Sequence, residues 1–196
     1  MNEDISQRRQ EKIDIKVEIA TGKDLLALRD LRLLAIQSKD GHVFAATRES
    51  VEREMALTEE KWREYFFSNN GFVSVSRYGA EIVGMNLAFE KAPEENLWRM
   101  RALYIKPEFR KMGIGVRMFS MGLREIIRLG GKKVSANIEV GNKDSWNLVT
   151  KFGFKKVSSG SVELETGETF HYDDVELDDL DDPELIKKIK EVLNAG

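Results

Sequence analysis

The stretch from Leu103 to Arg117 constrains the fold of this chain most, because an apolar run turns within a few residues into Arg-x-x-Gly-x-Gly. The run ends at Pro107, which favours a strand, a tight loop and the start of a helix. Gly113 and Gly115 lack a Cβ, so the loop backbone can approach a bound group closely. The first N–H groups of the following helix are unpaired and lie at its positive dipole end. Together these features suit a phosphate.

Two common nucleotide-binding loops do not match this stretch. A Walker loop requires Gly-x-x-x-x-Gly-Lys followed by Ser or Thr, and the chain contains no such string. A dinucleotide fingerprint requires a third glycine three residues after the second, where Met118 stands. On these residues alone, a plain strand-to-helix turn remains an alternative.

A second motif follows downstream. Residues 142–154 read Asn-Lys-Asp-Ser-Trp-Asn-Leu-Val-Thr-Lys-Phe-Gly-Phe. This segment and the Arg-x-x-Gly-x-Gly string behind an apolar strand resemble the acyl-CoA-binding motifs of the GNAT superfamily of N-acetyltransferases. The second motif of that family is Asn-x-x-Ala-x-x-Leu-Tyr-x-x-x-Gly-Phe. Two spaced motifs in the correct order argue against a chance similarity, and the resemblance covers roughly residues 13–180.

The apolar pattern predicts an α/β fold. Strands joined partly by hairpins and partly by helices imply a mixed sheet covered by helices. The resemblance likewise implies a mostly antiparallel central sheet flanked by helices, the GNAT-like acyl-CoA N-acyltransferase fold. Strands are predicted at 13–19, 72–78, 82–89, 97–105, 134–140, 154–157 and 170–177. Helices are predicted after Asp24, whose side chain is expected to cap the first one, with Leu25, Leu28, Leu31 and Leu34 in the core, at 49–56, after Thr58, at 113–128, at 145–151 and from Pro183.

A chain of 196 residues suits a single domain with a sizeable core. Residues 1–12 are predicted to be a polar arm for which disorder is expected, and residues 13–180 to be the N-acetyltransferase domain. Residues 181–196 are predicted to form a C-terminal helix. Its apolar stripe either packs on the domain or pairs with a partner subunit, which would make a homodimer.

Composition excludes several classes of protein. No apolar run approaches the ~20 residues of a membrane span, and the first residues have no apolar core, so a cytoplasmic location without membrane association is expected. The absence of cysteine excludes disulfides and a thiol nucleophile, and two distant histidines predict no metal site. A net charge of −3 argues against nucleic acid as a partner.

The resemblance implies that acetyl-CoA is the co-substrate. By motif position, the backbone of Leu103 and Ile105 would bond the pantetheine arm, that of residues 111–116 the pyrophosphate, and Asn142 the pantetheine side. On local sequence alone, Asn142 is equally a turn or helix-cap residue after Gly141. The residues predicted to bind acetyl-CoA are Leu103, Tyr104, Ile105, Arg110, Lys111, Met112, Gly113, Ile114, Gly115, Val116, Asn142 and Ser145.

The resemblance also implies that an amine attacks the acetyl thioester directly. The motif tyrosine, which protonates the leaving thiolate in many members, is replaced by Val149. The catalytic base is predicted to be Glu139 or Glu90, and for each the alternative is a solvated surface carboxylate. The two histidines, His42 and His171, are weaker candidates.

The sequence does not name the acceptor, which is a small amine or a peptide or protein amine. Asn137 stands where some protein-N-terminus acetylases of the family have glutamate. The absence of both this glutamate and the motif tyrosine makes a protein N-terminus a weaker candidate acceptor. The resemblance implies that the region from the Gln37–Thr47 loop through the helix after Thr58 forms one wall of the acceptor site. The acidic stretch from Asp173 to Glu184 is a solubilising edge or a rim that attracts a cationic amine. The predicted function is acetyl-CoA-dependent N-acetyltransferase; the alternative is a catalytically silent acyl-CoA-binding or regulatory module.

Overall fold

The structure, a computed structural model, describes residues 14–68 and 70–195. The predicted polar arm and the predicted strand start at Ile13 lie outside these residues. The strands are β1 (Ile15–Ile19), β2 (Phe72–Tyr78), β3 (Glu81–Ala92), β4 (Leu97–Ile105), β5 (Lys133–Glu139), β6 (Lys155–Glu163) and β7 (Thr169–Leu177). The α-helices are α1 (Leu25–Gln37), α2 (Arg48–Met55), α3 (Glu59–Phe67), α4 (Ile114–Arg128), α5 (Lys143–Lys151) and α6 (Pro183–Asn194). No helix within the described ranges combines the length and apolar character that a membrane span requires.

The strands form one sheet in the order β1-β2-β3-β4-β5-β7-β6. Neighbouring strands are antiparallel except β4 and β5, which run parallel. The predicted fold class, a mixed and mostly antiparallel sheet flanked by helices, is confirmed. Because the β6–β7 hairpin folds back along β5, β7 lies inside the sheet and β6 forms its edge.

The sheet opens between β4 and β5 toward the carboxyl ends of these two strands. Their ladder joins three residue pairs and ends at Arg99 and Ser135. Between Arg101 and Tyr104, β4 advances three residues where β3 advances two, so β4 carries a bulge. Within it, Ala102 has a φ of 54°, in the left-handed region. A bulge bends its strand and increases the local twist, which accounts for the gap between β4 and β5.

Apolar side chains cover both faces of the sheet. On one face, Phe119 of α4 packs with residues of β4, β5 and α5. Leu185 and Ile189 of α6 are buried in the same cluster, so α6 uses its apolar stripe within its own chain. On the other face, Leu28 of α1 and Trp62 of α3 pack against β2 and β3. Side chains that reach the gap between β4 and β5 are therefore held between two packed layers.

Two local predictions for α1 are wrong. Leu34 was expected in the core but is 44% exposed, because the buried face of the helix passes through Ala35. Asp24 precedes the helix, but its side chain does not cap it. The carboxylate instead accepts a hydrogen bond from the Thr21 N–H at 2.7 Å and pairs with Arg77 at 2.7 Å. Short polar side chains often bond to nearby backbone in this way, and sequence does not reveal which N–H they choose.

Candidate active site

A cavity of about 530 Å³ lies where the predicted phosphate loop meets α4. All the residues predicted to bind acetyl-CoA line it except Met112. Met112 is 41% exposed and lies outside the wall of this cavity. The fold thus brings together the two motifs, one at the end of β4 and the other at the start of α5.

The first turn of α4 presents unpaired backbone donors to this cavity. At this end of the helix, the Arg117 N–H bonds to the carbonyl of Gly113 at 3.2 Å. The N–H groups of Ile114, Gly115 and Val116 precede that bond and have no acceptor within the helix. All three residues line the cavity. Donors and the positive dipole end at one place suit an anion such as a pyrophosphate.

The two loop positions favour glycine for different physical reasons. Gly113 has a φ of 76°, which is strained for any residue with a Cβ. A Cβ on Gly115 would lie 3.5 Å from Cδ1 of Ile105, an ordinary contact. Packing therefore does not require glycine at 115, although glycine inside a helix costs about 0.5–1 kcal/mol relative to alanine. A ligand that packs against the backbone would require it, so this wall fits an acyl-CoA pyrophosphate.

Two basic residues of the loop are partnered by carboxylates. Arg110 donates to the carbonyl of Ile105 at 2.9 Å and to Asp40 at 2.6 Å. Lys111 Nζ lies 2.9 Å from the Asp144 carboxylate of α5, and both side chains are largely exposed. Arg110 therefore fastens the loop to the rest of the protein. Lys111 spans the cavity mouth and can exchange Asp144 for a phosphate, because an exposed pair of this kind contributes little stability.

A smaller cavity of about 110 Å³, the deep cavity, occupies the gap between β4 and β5. Met100 and Phe119 line it from the α4 side of the sheet, and Phe44 and Arg101 from the opposite side. Asn142 lines both this cavity and the larger one, so the two adjoin. A ligand anchored at the N-terminus of α4 can therefore reach through the sheet.

Three side chains in the wall of the deep cavity bear on the predictions. Asn142 caps α5, since its Oδ1 accepts a hydrogen bond from the Ser145 N–H at 3.0 Å. Val149, at the tyrosine position of the motif, is 3% exposed and brings no hydroxyl. Asn86 is 1% exposed, and its Nδ2 has no hydrogen-bond partner among the residues that the structure describes. A buried amide of this kind is normally satisfied, here by water or a ligand.

His42 lies beside Glu139 but does not itself line the deep cavity. Glu139 lines it, and its Oε2 lies 3.8 Å from Nε2 of His42. Nδ1 of His42 lies 3.0 Å from the carbonyl oxygen of Lys39. That contact favours the proton on Nδ1 of a neutral ring, which leaves Nε2 as an acceptor. The Glu139 carboxylate therefore lies at the gap between β4 and β5 with an imidazole nitrogen beside it.

Glu90, the other predicted base, lies elsewhere. It is opposite Trp98 near the start of β4, and it accepts a hydrogen bond from Asn70 at 2.7 Å. It lines neither cavity, and the same holds for His171 on β7. Within residues 14–68 and 70–195, no three His, Asp or Glu side chains form a group that could hold a metal ion.

Arg32 joins several parts of the region predicted to form an acceptor wall. This side chain donates to the Glu54 carboxylate at 2.9 and 2.7 Å. Its guanidinium lies 5.4 Å from the ring centre of Phe44 and 5.8 Å from that of Tyr65. Burial alone would lower the pKa of Arg32, but the hydrogen bonds with Glu54 outweigh it and the pKa lies above its ordinary value. A permanent charge thus holds Phe44 against the cavity.

The turn between β6 and β7 contacts α2 and the residue that precedes it. Glu165 accepts a hydrogen bond from Thr47 Oγ1 at 3.1 Å and forms an ion pair with Arg53 of α2. The hydrogen bond with Arg53 holds the pKa of Glu165 below its ordinary value. The carboxylate is therefore charged at neutral pH and links two elements that are far apart in sequence.

The first two residues of the acidic stretch, Asp173 and Asp174, face opposite sides of the sheet because they are consecutive in β7. Asp174 accepts a hydrogen bond from Asn137 at 2.6 Å. Asp173 accepts one from Ser159 at 2.8 Å, and its hydrogen bond with Lys156 lowers its pKa. These two carboxylates are partners of neighbouring strands, so they contribute less to a free negative rim than their sequence density suggests.

The split sheet and the donor-lined loop define an acetyltransferase-type fold, and the comparisons identify the family. Residues 39–154 match the acetyltransferase (GNAT) family model, and the chain belongs to this family. Membership supports acetyl-CoA-dependent acetyl transfer as the general activity. A comparison with curated protein sequences gives no match.

Solved structures similar to this chain include three acetyltransferases. An N-acetyltransferase from Staphylococcus aureus Mu50 is 20% identical, with a TM-score of 0.68 over 85% of this chain and 99% of that one. A ribosomal-protein-alanine N-acetyltransferase from Brucella melitensis is 20% identical, with a TM-score of 0.67 over 83% and 98%. A GNAT superfamily phosphinothricin acetyltransferase from Sinorhizobium meliloti, in complex with acetyl-CoA, is 17% identical, with a TM-score of 0.65 over 83% and 87%. At these identities the similarity shows the fold.

Proposed function

We propose that this protein transfers an acetyl group from acetyl-CoA to a primary amine by direct attack. The observation that carries the proposal is the junction of the two cavities, whose walls share Leu103 and Asn142. One cavity holds the unpaired N–H groups of α4, and the other passes through the sheet to Glu139. The chain has no cysteine to carry the acetyl group, which agrees with direct transfer.

Bound acetyl-CoA supplies an acetyl thioester, whose carbonyl carbon forms a bond to the amine nitrogen as the C–S bond breaks. The N–H groups of residues 114–116 hold the pyrophosphate, and residues 103–105 of β4, which have no β5 partner, hold the pantetheine arm. Glu139 takes the amine proton, with His42 beside it. Val149 has no proton to give, so the leaving thiolate takes one from solvent. Positioning of the two substrates then supplies much of the rate.

The second candidate is a catalytically silent acyl-CoA-binding module, and Val149 in place of the tyrosine is the observation that favours it. The similar structures do not indicate one acceptor, because one is named for the alanine of a ribosomal protein and another for phosphinothricin. Release of free CoA from acetyl-CoA separates the two candidates. The assay uses amines, amino acids and peptides as acceptors.

The Gly115→Glu variant tests the cavity that carries the proposal. It adds a side chain and a negative charge where the pyrophosphate would lie, so we expect acetyl-CoA affinity to fall by about 100-fold or more. Calorimetric titration measures this affinity, and thermal unfolding checks that the variant is folded.

Gly115→Ala is the matched control, because it adds only a Cβ that the protein accommodates. We expect its stability to be equal or higher and its affinity to change less than that of the charged variant. Gly113 is unsuitable for this test, since its φ of 76° makes any substitution strained. Unchanged affinity in Gly115→Glu would show that the loop is only a turn. Tight acetyl-CoA binding without CoA release would favour the silent module.

A further inference from the structure

Arg101 lies on the acceptor side of the gap between β4 and β5, held between two aromatic rings. Its guanidinium carbon is 5.0 Å from the ring centre of Tyr65 and 4.9 Å from that of Phe89. The bulge of β4 follows directly, and the Arg101 side chain lines the deep cavity. Three elements therefore position one exposed cation at the place where the acceptor would enter.

Arg101 differs from the other arginines around this face. Among the residues that the structure describes, it pairs with no carboxylate and donates no hydrogen bond to a side chain. Its neighbours are all paired: Arg32 with Glu54, Arg53 with Glu165, Arg99 with Asp174 and Arg110 with Asp40. Within residues 14–68 and 70–195, the charge of Arg101 is therefore uncompensated beside a cavity.

Two ring centres within 5.0 Å of the guanidinium carbon favour a stacked arrangement, in which the N–H donors stay free. Aromatic rings interact with the faces of the planar group, and its N–H donors point outward in the plane. A guanidinium held in this way can bind a planar carboxylate through two parallel hydrogen bonds. A solvated lysine at this position would offer neither the stacking nor the two-point geometry.

The opposite wall of the deep cavity carries the opposite charge. Glu139 lines it from β5, and Arg101 lines it from β4. An acceptor with one positive and one negative end matches both walls, whereas a plain cationic amine would be repelled by Arg101. We propose that the acceptor is a small amine that also carries a carboxylate, such as a free α-amino acid, and that Arg101 binds this carboxylate. This inference rests on the proposed function and deepens it by naming the substrate class.

The experiment compares three series of acceptors with the same protein and acetyl-CoA. They are the standard α-amino acids, their carboxamides and the corresponding decarboxylated amines, each followed by CoA release. The wild type should acetylate at least one free acid about 10- to 100-fold more efficiently than its carboxamide, the range of a charged hydrogen-bonded pair. In Arg101→Gln this ratio should fall to within a few-fold of one, with the acetyl-CoA affinity unchanged.

Arg99→Gln is the matched control, because Arg99 is also on β4 but is paired with Asp174. It should keep the acid-to-carboxamide ratio even where its overall rate changes. Equal or better use of carboxamides or plain amines by the wild type would overturn the substrate class and leave acetyl transfer standing. An unchanged ratio in Arg101→Gln would overturn the role of Arg101. Binding of acetyl-CoA without acetylation in any series would overturn both the proposed function and this inference.

Discussion

The Glu139 side chain combines partial exposure with a place in the deep cavity. It is 21% exposed, and the His42 side chain 3.8 Å away is 64% exposed, so a proton taken from an amine can pass to solvent through the imidazole. We expect Glu139→Gln to lower kcat/KM for the best acceptor by about 100-fold or more, because general bases contribute factors of this size. Acetyl-CoA affinity should stay within a few-fold. Steady-state kinetics and calorimetry measure the two quantities.

Glu90→Gln is the control for this prediction, since Glu90 is also a strand glutamate but lines neither cavity. It should leave kcat/KM unchanged. If the two variants lost activity equally, the placement of the base at the gap between β4 and β5 would be wrong. His42→Gln should lie between them, because its imidazole relays the proton and does not take it directly from the amine.

Residues close in sequence were the predictable part of the site. The Arg-x-x-Gly-x-Gly string predicted the loop and the donors of α4, because a loop and the helix after it are local structure. The charge of Arg110 was expected near the phosphate, yet Asp40 and a backbone carbonyl engage it. The contact of His42 with Glu139 and the stacking of Arg101 join distant segments, so no local pattern shows them.

At the scale of elements, the β6–β7 turn is held to α2 by Glu165. We expect Glu165→Gln, which keeps the size and removes the charge, to speed amide hydrogen exchange in residues 164–168 by about 2- to 5-fold, as suits an exposed pair. Exchange in α4 should not change. The pKa of Glu165 lies below its ordinary 4.5. The contact should therefore be complete above that pH and lost as the pH falls through the lowered pKa.

Glu163→Gln provides the comparison, because Glu163 lies on the same hairpin, is exposed, and forms no ion pair within the described residues. Its exchange pattern should match the wild type. Equal effects of the two variants would mean that hairpin charge in general, and not the contact with Arg53 and Thr47, sets the mobility of the turn. High salt should reduce the difference, since exposed charges are screened.

The sequence predicted which segments are strands and helices better than it predicted how they bend and pair. The strand at 97–105 has the predicted bounds, because a long apolar run between turn residues is a strong signal. Nothing in that run marks Ala102 as the left-handed residue of a bulge, since such positions favour glycine. The strand predicted at 154–157 extends to Glu163, because exposed residues at a sheet edge lack the apolar pattern.

For the whole molecule, acid should weaken the fold. Carboxyl groups with pKa values below their ordinary ones are Glu18, Asp24, Glu125, Glu165 and Asp173. Hydrogen bonds from Lys16 and Arg77 lower the pKa of Glu18. Burial alone would raise the pKa of Asp24, but bonds from the Thr21 N–H and Arg77 outweigh it. A lowered carboxyl pKa stabilises the fold above the unfolded value, and this stabilisation is lost as the pH falls through the folded value.

A substitution at Arg77 tests this pH dependence of stability directly, because Arg77 pairs with Glu18 of β1 at 2.6 Å and with Asp24 before α1 at 2.7 Å. Arg77→Met keeps much of the aliphatic stem and removes the charge, so we expect the free energy of unfolding to fall by about 1–3 kcal/mol at pH 7. As the pH falls through these lowered pKa values, both carboxyl groups become protonated in the wild type as well, so the two proteins should approach equal stability. Urea unfolding without added salt measures the free energy of unfolding of both proteins.

Arg48→Met is the control, because it breaks an exposed pair with Glu52. Its free energy of unfolding should differ little from that of the wild type at every pH. A difference for Arg77→Met that stays constant from pH 7 down through the titration of both carboxyl groups would instead assign its effect to packing of the stem.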